Sequence, residues 1–304
     1  MARVFSGLNG ATLYTFYGTG AGDAFGRSVS CAGDVNADGI PDLVIGAHLN
    51  DDAGTDSGRV RVFSGSTGAI LHTFRGDSMG DQLGRSVSAA GDVNNDGFDD
   101  LILGAYRDDD GGADAGSARV CSGANGAVLH LLHGGAAGDS FGFAVDGAGD
   151  VNGDGHDDLI VGAFGADPNG SMSGGAWLFS GLDHSQLGFF PGDSAGDWFG
   201  AAVSGGWDVT GDAVPDLLIG AYGDDNTGSL SGSARVHSGS DGSIHTTLNG
   251  GSAGDLFGIS VALVGDLDGD GCAELLVGAE KDDDAGADSG SARLHSGLTG
   301  ALLF

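Results

Sequence analysis

Basic residues are nearly missing from this chain. Its 304 residues hold 11 Lys plus Arg against 43 Asp plus Glu, Lys281 is the one lysine, and the formal charge is −32. A surface of that sign repels nucleic acid and anionic lipid, which excludes both as partners. Cysteine is scarce too: Cys31, Cys121 and Cys272 form an odd, irregularly spaced set, which is not a disulfide framework. No apolar run approaches the roughly 20 residues of a membrane span, and no stretch carries a helical hydrophobic period. Proline occurs 4 times. Met1 runs directly into the strand-like Arg3-Val4-Phe5 with no leader pattern, so the sequence reads as a mature or excised piece.

Glycine is what the chain has in plenty: 63 residues, without the three-residue period of collagen. At 40% hydrophobic residues the chain buries a core, which argues against disorder. The acids are not scattered. Five times, at a constant spacing of 58 residues, the chain writes a loop of the form D-x-N-x-D-G-x-x-D or a close variant. A fixed period means stacked copies of one unit.

The candidate ligands stand at loop positions 1, 3, 5, 7 and 9. They are Asp34, Asn36, Asp38, Ile40 and Asp42 in the first loop, and Asp92, Asn94, Asp96, Phe98 and Asp100 in the second. The third has Asp150, Asn152, Asp154, His156 and Asp158, and the fourth Asp208, Thr210, Asp212, Val214 and Asp216. The fifth has Asp266, Asp268, Asp270, Cys272 and Glu274. Side-chain oxygens on alternate residues, a backbone carbonyl at position 7 and a closing carboxylate at position 9 form the all-oxygen cage that suits Ca²⁺. Zn²⁺ prefers His and Cys. Position 7 varies freely, as expected when only its carbonyl binds, so the side chains of His156 and Cys272 are not ligands. Glycine at position 6 permits the positive φ of the sharp turn. The fourth loop has Ala213 there and Thr210 in place of an acid or amide, so it is expected to be the weakest of up to five calcium sites. The alternative is five Asp-rich turns whose carboxylates only cap backbone amides.

Around each loop the pattern is strand-like. In the first unit, Arg27–Ser30 alternates, Asp42–Ala47 is apolar throughout, and Arg59–Phe63 and Ile70–Phe74 follow, separated by a polar loop and a Ser-Gly turn. Cys121 stands where other copies have Phe5, Phe63 and Phe179, an apolar core position. Four short strands per unit, repeated about an axis, predict an all-β β-propeller of four-stranded antiparallel blades rather than a parallel β-helix. The expected domain is single, 1–304, with repeats at 19–76, 77–134, 135–192, 193–250 and 251–304. Residues 1–18 match the third and fourth strands of a unit and form an extra strand pair. That pair is either a clasp completing a five-bladed ring or part of a larger ring.

The flanks of the loops carry a resemblance. Phe25-Gly26, Leu83-Gly84, Phe141-Gly142, Phe199-Gly200 and Phe257-Gly258 precede them, and Gly46-Ala47, Gly104-Ala105, Gly162-Ala163, Gly220-Ala221 and Gly278-Ala279 follow. This resembles the FG-GAP repeats of integrin α-subunit propellers and related bacterial extracellular proteins. The resemblance implies calcium loops on the lower face, and a protein or glycan ligand met by the loops of the upper face, Asp51–Gly58 and its repeats. It also implies an extracellular or cell-surface location. Two departures leave ring size open: the family's closing proline is replaced by His48, Tyr106, Phe164, Tyr222 and Glu280, and family members commonly have seven blades. The expected function is a non-catalytic, calcium-binding adhesion or protein-binding module. The alternatives are a lectin-like carbohydrate binder, for which Trp177, Trp198 and Trp207 are candidates, and an accessory domain of a larger secreted enzyme. Trp198 and Trp207 flank one strand and fit packing between blades better. His133 and His184 read as isolated turn residues.

Overall fold

The 58-residue period becomes a series of twisted antiparallel sheets. A computed structural model describes residues 1–304. The extra N-terminal pair is β1 (Ala2–Phe5) and β2 (Thr12–Phe16). The first unit contains β3 (Val29–Gly33), β4 (Asp42–Ala47), β5 (Arg59–Phe63) and β6 (Ile70–Arg75). The second contains β7 (Ser86–Gly91), β8 (Asp100–Ala105), β9 (Ser117–Cys121) and β10 (Val128–His133). The third contains β11 (Ala144–Gly149), β12 (Asp158–Ala163), β13 (Gly175–Phe179) and β14 (Gln186–Pro191). The fourth contains β15 (Ala202–Trp207), β16 (Asp216–Ala221), β17 (Ser233–His237) and β18 (Ile244–Asn249). The fifth has three strands, β19 (Phe257–Val264), β20 (Glu274–Ala279) and β21 (Ser291–His295), with Leu302 bridged to His295 where a fourth strand stands elsewhere. Each sheet runs in chain order, every strand antiparallel to the next. These are the blades of a β-propeller. No helix is long and apolar enough to cross a membrane.

Strand choice follows from burial. The second strand of each unit is apolar on both sides because it is sandwiched between its own blade's neighbour and the adjacent blade. β8, β12 and β16 are buried at every residue. The first strand of each unit is innermost, and β3, β7, β11, β15 and β19 pack against one another in that order. Side chains at one repeat position near the start of these strands, from Arg27 of the first unit to Ile259 of the fifth, line a common cavity, so the innermost strands surround an axial channel.

Hydrophobic clusters fill the junctions between consecutive units. Val44, Val60 and Val62 meet Val87, Leu101 and Leu103 at the first. Equivalent clusters join the second unit to the third, the third to the fourth and the fourth to the fifth. The motif glycines explain how closely the sheets approach. A Cβ on Gly104 would lie 2.0 Å from the carbonyl oxygen of Gly142, and the same clash recurs between Gly46 and Gly84, Gly162 and Gly200, and Gly220 and Gly258. The next-to-last residue of each of these second strands, a glycine, therefore touches the glycine after the Phe or Leu of the next unit, backbone on backbone. At Gly278 no neighbouring backbone approaches in this way, and a Cβ there would meet only its own blade's Ser260.

The clasp alternative is corrected. β1 and β2 form a two-stranded sheet of their own and pair with nothing in the fifth unit. Phe16, with Val4 and Tyr14, packs on Ile45 and Phe63 of the first unit, in the place of a preceding blade. The physical reason is that the outer edge of β21, which the pair would need, is taken by the segment that follows it: the amides of Leu303 and Phe304 donate to the Leu294 carbonyl, and the Leu294 amide donates to the Phe304 carbonyl.

Candidate metal centres

Each acidic loop joins the first strand of its unit to the second, so all five lie at the same end of the channel. Their backbone repeats faithfully. Position 6 is left-handed in every loop: φ is 82° at Gly39, 88° at Gly97 and Gly155, 93° at Gly271, and 68° at Ala213, where a side chain sits in a conformation it disfavours. Position 4 is left-handed as well, at Ala37 (53°) and Asn95 (58°) and at glycine in the other three loops.

The position 1 carboxylates organise the turn. Asp34 accepts the amides of Asp38 (3.0 Å) and Gly39 (2.8 Å). Asp92, Asp150, Asp208 and Asp266 accept the amides at loop position 6 in the same way. At position 5, Asp38, Asp96, Asp154, Asp212 and Asp270 each accept the amide of the position 7 residue. Asn36 and Asn152 place Oδ1 on the position 5 amide. Ser66 donates to the second oxygen of Asp38, and this bond holds the Asp38 carboxyl below the usual carboxylate range.

Position 9 is buried. One oxygen of Asp42, Asp100, Asp158 and Asp216 accepts a glycine amide from the turn after the third strand, at 2.9–3.0 Å. Desolvation raises all four carboxyls, Asp100 and Asp158 to about 6. Glu274, one methylene longer, instead takes the amide of Leu267.

The residues fit a hard cation. The donors are all oxygens, and a carboxylate oxygen holding one amide keeps a second lone pair. Three buried oxygens in these loops have no partner within the chain: Asp100 Oδ2, Glu274 Oε1 and Thr210 Oγ1. In the fifth loop Asp266, Asp268, Asp270 and Glu274 each bring an oxygen within 4.8 Å of the others. The carboxylates of the first four loops do not converge that closely, although in all five loops the Asp side chains accept the loop's own amides. The position 7 side chains lie elsewhere: Ile40 is exposed, Cys272 is buried, and a ring nitrogen of His156 meets the carbonyl of Val93 at 2.7 Å.

Sequence reasoning missed what links one loop to the next. Asp99, at position 8 of the second loop, reaches back to the first and accepts the amide of Asp34 at 2.6 Å. Asp157 approaches the second loop in the same way: burial raises its pKa, the amide of Asp92 lowers it by less, and the net direction is upward. Pro41, Pro215 and Ala273 occupy this position elsewhere, so the latch exists only at the first two junctions.

A second use of acids lies at the opposite end of the strands. Asp23, Asp81, Asp139, Asp197 and Asp255 recur at the same 58-residue spacing, each accepting the amide three residues earlier. Asp81 gathers with Asp77 and Asp108, and Asp197 with Asp193 and Asp224. Burial, then the hydrogen bond to the neighbouring carboxyl, raises Asp81 and Asp197 to about 7, so each pair shares a proton near neutrality. Arg119 and Arg235 cover these trios, at 2.7 Å from Asp77 and Asp193.

The remaining candidates sort plainly. Trp177 packs on Phe141 and Phe189. Trp198 packs on Tyr222 of its own unit, whereas Trp207, 51% exposed, lies against Gly265 of the fifth unit and so packs between blades as expected. His184 is not isolated: its ring stacks on His130 at 3.9 Å. Inside the channel one acid stands apart from the repeated loops. Asp146, raised by burial, accepts Ser88 Oγ at 2.6 Å and the amide of Gly205 at 3.2 Å.

The comparison with known families agrees with this geometry. The FG-GAP repeat model matches residues 25–63, 83–121, 141–179 and 257–294, about half of the chain. The equivalent stretch of the fourth unit, with Thr210 and Ala213, is not among them. Integrin alpha-5 of Xenopus laevis is 32% identical over 190 residues, covering 54% of this chain and 17% of that protein. Integrin alpha-V of Gallus gallus is 34% identical over 183 residues, 55% of this chain and 17% of that protein. Integrin alpha-PS2 of Drosophila melanogaster is 32% identical over 214 residues, 64% of this chain and 15% of that protein. The aligned region spans about a sixth of these relatives' length. The Phe-Gly and Gly-Ala glycines that let neighbouring sheets touch, with the acidic loop between them, are the matched features: this chain is integrin α-like and belongs to the FG-GAP repeat family.

Proposed function

We propose that the chain is a non-catalytic, calcium-stabilised extracellular or cell-surface recognition module that binds a protein or glycan ligand. The first, second, third and fifth loops each hold one Ca²⁺ through positions 1, 3, 5 and 9 and the position 7 carbonyl, and the fourth holds one more weakly. The observation that carries the reading is the set of buried, unpartnered oxygens in the loops, Asp100 Oδ2, Glu274 Oε1 and Thr210 Oγ1. A buried polar atom without a partner is costly, and a cation relieves it. Asp99 and Asp157 tie the first and second loops to the next unit, and the glycine amides tie position 9 of the first four loops to a turn of their own unit, so an ion in the first two loops also braces neighbouring blades. The opposite end of the channel, free of these loops, is the recognition surface.

The non-catalytic part rests on where the titratable groups go. They serve the repeated loops, pair with arginine, or, as in Asp146, are spent on serine and backbone partners. Isothermal titration with CaCl₂, beside melting curves in calcium and in excess EGTA, tests the reading. Saturable binding with a higher melting temperature in calcium is expected, because an ion that binds only the folded state adds its binding free energy to stability. An unchanged melt would overturn it.

A further inference from the structure

At the channel end remote from the acidic loops, the repeat stops repeating. The position two residues after the Phe or Leu of each motif holds Arg27, Arg85, Phe143, Ala201 and Ile259. These side chains, with Tyr222 and Glu280, line a cavity of about 530 Å³ at the channel mouth. That is within the ~300–1,000 Å³ of small-ligand sites.

The cavity has two unlike walls. One carries positive charge in a chain otherwise rich in acids. Arg85 Cζ lies over Phe143, 4.2 Å from the ring centre, and Phe143 is held edge-on by Tyr106 and Phe164. The ion pairs of the protein engage Arg59, Arg75, Arg107, Arg119, Arg235 and Arg293, and neither Arg27 nor Arg85. A guanidinium stacked on a ring keeps its edge N–H groups for a ligand. His48, next to this wall, feels the same field: burial, then Arg85 and Arg27, push it down to about 4. The other wall is apolar and aromatic, with Ala201, Ile259 and Tyr222, the last backed by Trp198 at 4.8 Å. Glu280 is the single acid of the lining.

We propose that this channel mouth binds a carboxylate side chain of a partner protein, flanked by an apolar or aromatic residue. It rests on the reading of this end as the recognition surface. Paired guanidiniums take a carboxylate through charge-assisted bonds, and the apolar wall covers the neighbouring residue. The surrounding loops, such as Asp51–Gly58 and Asp109–Gly116, are acidic and repel polyanions, which favours one carboxylate on a neutral or basic surface.

The test uses the full chain in calcium and the probe N-acetyl-Gly-Phe-Asp-Gly amide, against its Asn counterpart and free phenylacetate. Titration calorimetry reads affinity, and tryptophan fluorescence reads the Trp198–Tyr222 wall. The Asp peptide binds at least about tenfold tighter than the Asn peptide, as loss of a charged partner predicts. Arg85→Gln abolishes that preference, Arg27→Gln weakens it, Glu280→Gln strengthens binding, and the exposed Arg75→Gln leaves it unchanged. Melting curves of each variant confirm folding. Equal binding of the two peptides, binding of neither, or indifference to Arg85→Gln overturns the proposal. Phenylacetate binding as tightly as the peptide overturns the assignment to a protein partner. Calcium-dependent adhesion that survives Arg85→Gln discards this cavity while keeping the recognition reading.

Discussion

The two ends of the strands hold neighbouring blades together by different means. At one end the link is polar: Asp99 reaches from the second loop to the amide of Asp34 in the first, and each loop surrounds oxygens able to grip a cation. At the other end the link is bare backbone, Gly104 against Gly142 and its repeats, beneath acids that pair with one another and with arginine. The link at one end therefore depends on carboxylates and the cation they can hold, and the link at the other depends on the absence of side chains. The fifth unit shows the contrast in one blade: it has the most acidic loop and a motif glycine that touches no neighbour.

Calcium removal is the largest expected break in this comparison. Four filled loops, each at ~100 times its Kd, would contribute about 2.7 kcal/mol apiece. Excess EGTA should therefore lower the melting temperature by about 10 °C or more in differential scanning calorimetry, acting through the metal end alone.

The backbone end breaks by substitution. Gly104→Ala drives a Cβ to 2.0 Å from the Gly142 carbonyl, a contact neither backbone can yield cheaply, and should cost about 2–4 kcal/mol in urea unfolding. Gly278→Ala meets only Ser260 Oγ, which can rotate away, and should cost under ~1 kcal/mol.

The acid trios respond to pH. The folded-state values of Asp81 and Asp197, about 7, lie above the ordinary 3.8, so folding takes up protons between these limits. Their contribution is fully present below about 4 and is lost as pH rises through about 7. In EGTA the protein should melt higher at pH 5.5 than at pH 8. Asp81→Asn should reduce that difference, with Asp197, Asp100 and Asp158 keeping the rest, and stabilise at pH 8 by about 1 kcal/mol, a small part of the unscreened effect because solvent reaches the trio.

Smaller effects sharpen the metal end. Asp99→Ala should cost ~1 kcal/mol and loosen calcium binding in the first loop more than in the fifth, as read by titration calorimetry. Ala213→Gly should tighten the fourth site, since a non-glycine residue at φ 68° costs on the order of 1 kcal/mol.

Much of this was legible in the sequence. Asp42–Ala47 and Arg59–Phe63 are strands with the expected bounds, because an unbroken apolar run and a clear alternation leave little choice. Position 6 is left-handed in every loop, Ala213 included, because only that backbone closes a loop of this length. The rest depends on distances between units, which a repeat period does not carry. The Asp99 latch was hidden because its position is Pro41, Pro215 or Ala273 elsewhere, and its partner sits in another blade. The trio around Asp81 was hidden because Asp77 and Asp108 flank a strand pair and meet only after folding. The N-terminal pair matched a third and fourth strand by sequence, but residues 302–304 hold the outer edge of β21 that it would have taken.

The most direct test of the claim that the acidic loops hold ions is an anomalous difference map from crystals grown at millimolar calcium. Peaks ringed by oxygens in the first, second, third and fifth loops, with a weaker one in the fourth, are predicted. Loops without peaks, their aspartates still folded onto their own amides, would contradict it.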